Sequence, residues 1–254
     1  MVRHKIFFSN LGYARGLSGR LAEHLLYAYR HFYCSPLIQK EALRQLAELI
    51  AREEPDICCL VEIEKGTPNR KKLNQLEALI NETYPNFDIE NKYGEKSLLR
   101  SFNFTSGKSN AFLAKRKHVF EKLYFTRGVK RLVYKIHVDE NLTLFFAHFS
   151  LKKTIRAWQL IEARNLMRAV EGEVIFLGDF NILSGFGEIV PLLDGGRFVL
   201  LNREEHPTFF FHKHQKILDL CICSRGVAGR AELSVLPQPY SDHAALLLNI
   251  RSGG

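Results

Sequence analysis

The chain has 254 residues, of which 46% are apolar, and this length and composition suit one domain around a single large core. Its net charge of +9 and pI near 9.3 favour polyanionic partners such as nucleic acid, anionic lipid or a phosphorylated small molecule. No apolar run approaches the length of a membrane span and no leader-like segment begins the chain. We therefore expect no transmembrane segment and a cytoplasmic protein. The sequence carries no indication of oligomeric state.

The first predicted strand, residues 5–9, is apolar and ends at Asn10. Residues 11–39 then form an aromatic and basic stretch with a short amphipathic helix, for which Ser18 is a suitable N-cap. Its aromatic side chains either pack the helix onto the domain, which we favour, or stack on nucleic-acid bases. The helix is predicted from the spacing of Leu21, Leu25, Leu26 and Tyr29.

The remaining elements follow from apolar periodicity. Residues 41–52 predict a helix that ends before Glu54-Pro55, because proline cannot continue it. Leucines in residues 73–80 predict a second helix, and residues 155–170 a third. Strands are predicted at 111–115, 131–138, 142–149, 174–179, 217–223 and 244–250.

The five cysteines are interpreted as reduced thiols. Cys58, Cys59, Cys221 and Cys223 lie in apolar, strand-like runs, and Cys34 lies in an aromatic segment. An odd count without framework spacing does not suggest disulfides, and no second pair completes a zinc site. This usage is typical of a cytosolic protein.

Polar side chains occur at or near the ends of several apolar strands. The tetrapeptide Gly178-Asp179-Phe180-Asn181 follows a buried run, and Asp179 and Asn181 would point the same way if the extended geometry continued. Alone, this tetrapeptide is also an ordinary turn sequence. Asp219 interrupts an apolar run, where an unpaired carboxylate would be costly. The other polar positions of this kind are Asn10, Glu62, His148 and Ser241-Asp242-His243.

Taken in order, these motifs resemble the endonuclease/exonuclease/phosphatase family. This family of metal-dependent phosphoesterases includes deoxyribonuclease I, AP endonucleases, neutral sphingomyelinases and inositol polyphosphate 5-phosphatases. The resemblance extends from Asn10 to His243. It implies an α/β (α+β) fold, a four-layer sandwich of two mixed β-sheets flanked by helices, in a single domain over residues 1–254. Because the connection after the first strand is often shorter in the family, residues 11–39 are interpreted as a helical insertion on the active-site side.

The polar set is rich in oxygen ligands, which suits Mg²⁺ or Mn²⁺ and not zinc. Glu62 is the first candidate ligand, with Asn10 beside it and Asp242 or Asp179 completing the metal site. Glu64 has the same strand parity as Glu62 but is interpreted as a surface acid.

The resemblance also implies catalytic roles. Asp179 or His243 would deprotonate or align the attacking water, and the sequence leaves the choice open. Asp219 would pair with His243, while Asn181 and His148 would donate hydrogen bonds to the phosphoryl oxygens. Without the resemblance, His148 would be interpreted as a hydrogen-bonded core histidine.

The sequence indicates the substrate less specifically than it indicates the catalytic residues. Lys152 and Lys153 follow His148 and are the basic pair expected to meet a substrate phosphate. Charge and the aromatic-basic segment favour a nuclease acting on DNA or RNA. The alternative is a phosphatase or phosphodiesterase of a phosphoinositide, phospholipid or other small phosphoester, although no long apolar hairpin for entering a bilayer is found. A non-catalytic binding module is disfavoured, because no matching catalytic position is substituted.

Overall fold

The computed structural model describes residues 2–20, 23, 26–31, 34–67, 72–102 and 104–252. Strands make up most of its regular structure. In chain order they are β1 (Val2–Asn10), β2 (Ile57–Thr67), β3 (Lys72–Asn74), β4 (Asn86–Asn91), β5 (Lys108–Ala114), β6 (Phe120–Tyr124), β7 (Leu132–His137), β8 (Leu142–His148), β9 (Glu173–Asp179), β10 (Phe198–Leu200), β11 (Phe209–Phe211), β12 (His214–Lys216), β13 (Asp219–Ser224), β14 (Ala231–Leu236) and β15 (Ala245–Arg251).

These strands form two large mixed sheets and one short hairpin. The first sheet runs β14-β15-β1-β2-β5-β4, with β3 paired to β2, and the second runs β10-β13-β9-β8-β7-β6. Each has one parallel pair near its middle, β1 with β2 and β8 with β9, between antiparallel neighbours. Strands β11 and β12 make the hairpin.

The α-helices bounded within the described residues are α1 (Pro36–Glu53), α2 (Lys153–Arg168) and the short α3 (Arg225–Ala228), and short 3₁₀ turns lie in the connections. Helix α1 begins where Ser35 Oγ accepts the Leu37 N–H at 3.3 Å, with Pro36 in the first turn. It ends at Glu54, whose left-handed φ of 48° turns the chain before Pro55. The predicted helix over 41–52 is therefore confirmed but starts earlier, and the predicted helix over 155–170 corresponds to α2.

The core lies in three layers that follow strand alternation. In β1, Ile6 and Phe8 face the second sheet, whereas Phe7 faces α1. Helix α1 buries Leu43, Leu46 and Leu49 against the first sheet, and α2 buries its apolar face against Phe145 and Phe176 of the second. Helix, sheet, sheet and helix are thus stacked, which confirms the predicted four-layer sandwich.

The six predicted strands correspond to β5, β7, β8, β9, β13 and β15, each within three residues at either end. The helix predicted over residues 73–80 is wrong. Strand β3 is followed there by one 3₁₀ turn, Gln75–Ala78, because Asn74 Oδ1 accepts the Leu76 N–H and offers the backbone a turn in place of a helix. Leu76 and Leu79 are nevertheless buried. The helix-like spacing of these leucines therefore arises from residues buried in a turn.

The segment after β1 is described in part. Leu21 and Leu25, on which the predicted insertion helix partly rests, lie outside the described residues. Ser18 bonds to the Glu23 carboxylate through its N–H at 2.7 Å and its hydroxyl at 2.9 Å. The Tyr27 N–H donates to the Glu23 carbonyl at 2.8 Å, the spacing of one helical turn, and a 3₁₀ turn covers Ala28–His31.

No helix among the described residues is both long and apolar enough to cross a membrane.

Candidate active site

The predicted site residues meet at one edge of the sandwich. The pairing register of the second sheet places His148 and Asp219 on either side of Asp179. In the first sheet, β1 ends at Asn10, and His243 lies just before β15, which runs antiparallel to β1. Two sheets thereby contribute to one buried polar cluster.

Asp179 lies at the centre of this cluster and is buried. Its Oδ2 accepts from Asn10 Nδ2 at 2.9 Å and lies 3.1 Å from His148 Nε2. Burial opposes ionisation, but His148, followed by His243 and Lys130, holds the pKa of Asp179 well below its usual range. Asp179 is therefore an ionised acceptor at neutral pH.

His243 is oriented by Asp219. Its Nδ1 lies 2.7 Å from Asp219 Oδ2, and its Nε2 lies 3.4 Å from Asn10 Nδ2, facing the centre of the cluster. Burial would lower the pKa of His243, but Asp219, and then Asp179, raise it to about 10. The carboxylates of Asp219 and Asp179 therefore favour the imidazolium form of His243.

His148 is also buried, but its charge state differs. Burial and the neighbouring Lys130 ammonium lower its pKa to about 4, so the ring is neutral at pH 7. Lys130 Nζ contacts His148 Nε2. His148 Nδ1 lies 3.6 Å from Glu62 Oε1 and has no hydrogen-bond partner within the described part of the chain.

Two acidic or amide residues of the cluster have left-handed backbones. Glu62 has a φ of 55° where the pairing of β2 with β5 shifts register, and Asn181 has a φ of 52°. Non-glycine residues adopt such angles at some cost and often at functional sites. Because β9 ends at Asp179, the extended alternation considered for Asp179 and Asn181 does not apply. Asn181 Nδ2 instead donates to the Phe149 carbonyl at 3.1 Å.

The other predicted residues lie around this centre. Asp242 is half-buried beside the turn at Gly12, whose N–H donates to Asn10 Oδ1 at 3.0 Å. Lys152 and Lys153 are exposed where α2 begins, shortly after His148. Their contact with a substrate phosphate stays a prediction.

Two lysines and one tyrosine of the site were not predicted from the sequence. Lys92 Nζ lies 3.0 Å from Glu62 Oε1 and contacts the Tyr13 hydroxyl, and Lys130 contacts His148. Glu64, interpreted as a surface acid, is half-buried on β2. Lys130 belongs to the basic stretch from Arg127 to Arg131, and such a stretch alone is typical of a solvated loop.

The donor chemistry of the site fits a hard divalent cation. Glu62, Asp179 and Asp242 supply carboxylates and Asn10 an amide, in accord with Mg²⁺ or Mn²⁺ preferences. Donor atoms of Asp179, Asp219 and His243 also lie within 4.8 Å of one another, a second grouping that could hold an ion. Glu62 already pairs with Lys92, so a cation bound to Glu62 would have to share that carboxylate.

Comparison with known proteins agrees with this architecture. A sequence model described as the Endonuclease/Exonuclease/phosphatase family matches residues 37–243. No curated protein matches the chain significantly.

Three solved structures share the fold at low sequence identity. The endonuclease domain of TRAS1, a telomere-specific non-LTR retrotransposon, is 16% identical, with a TM-score of 0.60 over 99% of this chain and 100% of that one. D. rerio TDP2 complexed with single-strand DNA product is 15% identical, with a TM-score of 0.65 over 98% and 99%. An endonuclease/exonuclease/phosphatase from Beutenbergia cavernae is 13% identical, with a TM-score of 0.69 over 100% and 72%.

The sandwich and its polar edge therefore define a phosphoesterase of the deoxyribonuclease I-like class. The family match covers most of the chain, and the chain belongs to the endonuclease/exonuclease/phosphatase family, as the sequence motifs predicted. Membership makes it a hydrolase of phosphoester bonds.

Proposed function

We propose that this chain is a divalent-metal-dependent phosphodiester hydrolase, a nuclease acting on DNA or RNA. The observation that carries this proposal is the buried, ionised Asp179 between the neutral His148 and the Asp219–His243 pair. These groups provide an acceptor for a water proton and donors for phosphoryl oxygens at one point. We propose that residues 1–254 act as one domain in this reaction.

The charge states of the buried groups support a division of the roles that the sequence left open. Asp179 aligns and deprotonates the attacking water, because it remains ionised. His243 is held protonated by Asp219 and donates Nε2–H to a phosphoryl oxygen, where negative charge develops. Asn181 provides a further amide donor and His148 an imidazole donor for the phosphoryl oxygens. Burial and Lys130 keep His148 neutral.

Mg²⁺ or Mn²⁺ fits Glu62, with Asn10, Asp242 or Asp179 as the remaining ligands. When bound, such a cation would neutralise charge on the phosphate and on the leaving oxygen. Asn10 also fixes the relative positions of Asp179 and His243, because its amide contacts both side chains.

Nucleic acid is the favoured substrate. The net charge of +9 supports backbone binding, and Lys152 and Lys153 are exposed just beyond His148. One structure of the same fold is described as a complex with single-strand DNA product. Four buried free cysteines support the proposed cytoplasmic location.

A small-phosphoester or phospholipid substrate is the second candidate, and one observation favours it. The loop between β4 and β5 exposes Leu98 by 77%, Phe102 by 59% and Phe104 by 67%. The sequence predicts no long apolar hairpin, but this loop, with its 3₁₀ turn Leu98–Arg100, is an exposed apolar segment of another form. Such a surface would suit contact with lipid.

The test is hydrolysis by purified protein with Mg²⁺ or Mn²⁺ of single- and double-stranded DNA, RNA, a phosphoinositide and sphingomyelin. Asp179→Asn should lower turnover of the accepted substrate by about 10²–10⁴-fold, the usual value of a positioned acid-base group. His137→Ala, at the end of β7, is the matched control and should retain turnover. Full activity in excess chelator, or wild-type turnover by Asp179→Asn, would contradict the mechanism.

A further inference from the structure

Trp158, the sole tryptophan of the chain, lies on α2 and is 47% exposed. Indole rings are highly buried on average, so this exposure is unusual. The Arg127 guanidinium lies over the ring, with its Cζ 3.9 Å from the ring centroid. Arg127 is exposed as well and belongs to the loop between β6 and β7. We name these two residues the indole platform.

Two side chains of α2 fasten this loop to the helix. Glu162 accepts the Thr126 N–H at 2.8 Å and also bonds to the Thr126 hydroxyl. The buried Gln159 donates from Nε2 to the Arg127 carbonyl at 2.9 Å and to the Lys130 carbonyl at 2.8 Å. The backbone on both sides of the Arg127 side chain is therefore fixed relative to Trp158.

Gly128 allows the loop and the helix to approach closely. Its φ is 99°, and a Cβ at this position would lie 2.8 Å from both Ile155 Cγ2 and Gln159 Nε2. A larger residue would displace these side chains or move the loop away from α2. The Arg127 side chain is thus set over Trp158 before any ligand binds, and a preorganised surface loses little conformational freedom on binding.

The indole platform lies beside the candidate active centre. Gln159, the residue after Trp158, accepts the Ser150 N–H at 2.9 Å, two residues beyond His148. The same glutamine holds the Lys130 carbonyl, and Lys130 Nζ contacts His148 Nε2. One buried side chain therefore connects the platform with both segments that meet at His148. A strand that leaves the active centre past His148 would meet the platform.

The surface around the platform combines apolar and cationic groups. Leu151 and Val129 are exposed large apolar residues, and Lys152 and Lys153 are exposed where α2 begins. Rings on which bases stack, next to cations that follow the phosphates, are typical of surfaces that bind single-stranded nucleic acid. The bases of a duplex are already stacked on one another, and an inositol headgroup has no flat ring. The combination therefore favours a single strand.

We infer that Trp158 stacks on an unpaired base of a single-stranded DNA or RNA whose phosphodiester is bound at the candidate active centre. Arg127 supports the ring and adds positive charge beside the strand. The inference rests on the proposed function and narrows it to strands, or strand ends, whose bases are free.

The fluorescence of Trp158 reports on this contact directly, because the chain has no other tryptophan. Metal-free protein in excess chelator is titrated with thymidine and uridine oligonucleotides, with a duplex, and with an abasic strand, all of one length. We expect the thymidine strand, the uridine strand or both to quench the emission until binding saturates. The duplex should quench it little. The abasic strand should also quench it little, because it keeps the phosphates but has no bases to stack.

Variants then test whether the contact contributes to affinity, measured by the anisotropy of a labelled thymidine or uridine strand, whichever quenches. Trp158→Ala should weaken binding by about tenfold, a usual loss for one stacked base, whereas Trp158→Phe should retain most of the affinity. Phe87→Ala is the matched control. Phe87 is 46% exposed but lies on β4 of the other sheet, so this variant should bind as the wild type does. Circular dichroism should show that all variants are folded.

Three outcomes would overturn the inference: no quenching by either base-bearing strand, equal quenching by the abasic strand, or wild-type affinity in Trp158→Ala. The proposed function is tested separately by hydrolysis of methyl 4-nitrophenyl phosphate with Mn²⁺, a diester without a nucleobase. Cleavage of this diester without base-dependent quenching would overturn the inference and leave the proposed function standing.

Discussion

His243 and Asp219 form a buried pair in which the imidazole Nδ1 lies 2.7 Å from the carboxylate Oδ2. The pair crosses from the first sheet to the second, because His243 precedes β15 and Asp219 begins β13. Asp219 thereby fixes the ring orientation and leaves Nε2 facing Asn10. The same contact stabilises the imidazolium, since it raises the pKa of His243 to about 10.

This pair predicts a pH dependence of stability in metal-free protein. His243 would have a pKa near 6.5 when unfolded and about 10 when folded, so the folded state holds the extra proton between these values. Its contribution to the free energy of unfolding is complete below pH 6.5 and is lost as pH rises through about 10. Asp219→Asn removes the partner, so that variant should lose less stability over the same window.

Urea unfolding of both proteins near pH 6.5 and near pH 10 measures this difference. Asp194→Asn, in the 3₁₀ turn Asp194–Gly196, is the control and should follow the wild type. Parallel wild-type and Asp219→Asn curves would show that the pair does not hold the proton.

A second prediction concerns Glu62 and Lys92, whose charged atoms lie 3.0 Å apart. Glu62→Gln removes a hard ligand and should weaken Mn²⁺ binding, whereas Lys92→Met removes a competing cation and should strengthen it. Electron paramagnetic resonance of free Mn²⁺, without substrate, measures both affinities. Changes of the same sign in the two variants would place the cation away from Glu62.

The sequence predicted which polar residues would meet at one edge of the sandwich, because polar groups at the ends of apolar strands are conspicuous. His148 and Asp179 stand at the ends of apolar runs, and Asp219 interrupts one. Strand pairing then brings the three residues together. The sequence could also predict the sandwich, because a chain of strands with helices between them has few ways to bury both faces of its sheets.

The basic residues could not be predicted in the same way. Lys130 reaches His148 because its segment bridges to Tyr93, 37 residues earlier in the chain, and sequence spacing gives no indication of that pairing. In the sequence, Lys92 looks like any lysine of a polar stretch, although the structure buries it. The turn at Gln75–Ala78 was mistaken for a helix because apolar spacing of three or four residues suits both.

A third prediction concerns Arg156, which is 1% exposed on α2. Its guanidinium bonds to Glu188 Oε2 at 2.5 and 3.0 Å and to the Ser150 and Leu151 carbonyls at 3.0 and 2.8 Å. Arg156→Met removes the ion-pair partner of Glu188, which keeps the Ser184 N–H at 2.8 Å, and leaves two carbonyls without their donor. The change should cost about 3–5 kcal/mol of unfolding free energy. Turnover should also fall, because these carbonyls belong to the turn that follows His148.

The control for this change is Arg44→Met on α1. Arg44 forms exposed ion pairs with Glu41 and Glu48, which solvent screens strongly, so its loss should change the free energy of unfolding little. Urea unfolding measures both variants, and equal losses would contradict the structural role of Arg156.

The last prediction separates the two substrate classes through salt. If the substrate is nucleic acid, Lys152 and Lys153 contact phosphates beyond the one that is cleaved. Binding of DNA or RNA to the Asp179→Asn variant should then weaken steeply with salt, with a log-log slope of roughly 0.7–0.9 for each phosphate contact. The salt slope should grow with oligonucleotide length until the surface that contacts phosphates is covered.

The double variant Lys152→Met with Lys153→Met should reduce the salt slope by about one to two units, whereas Lys117→Met should leave the slope unchanged. A small phosphoester touches the catalytic pocket alone, so length-independent or undetectable binding of both nucleic acids would favour the phospholipid or small-phosphoester substrate.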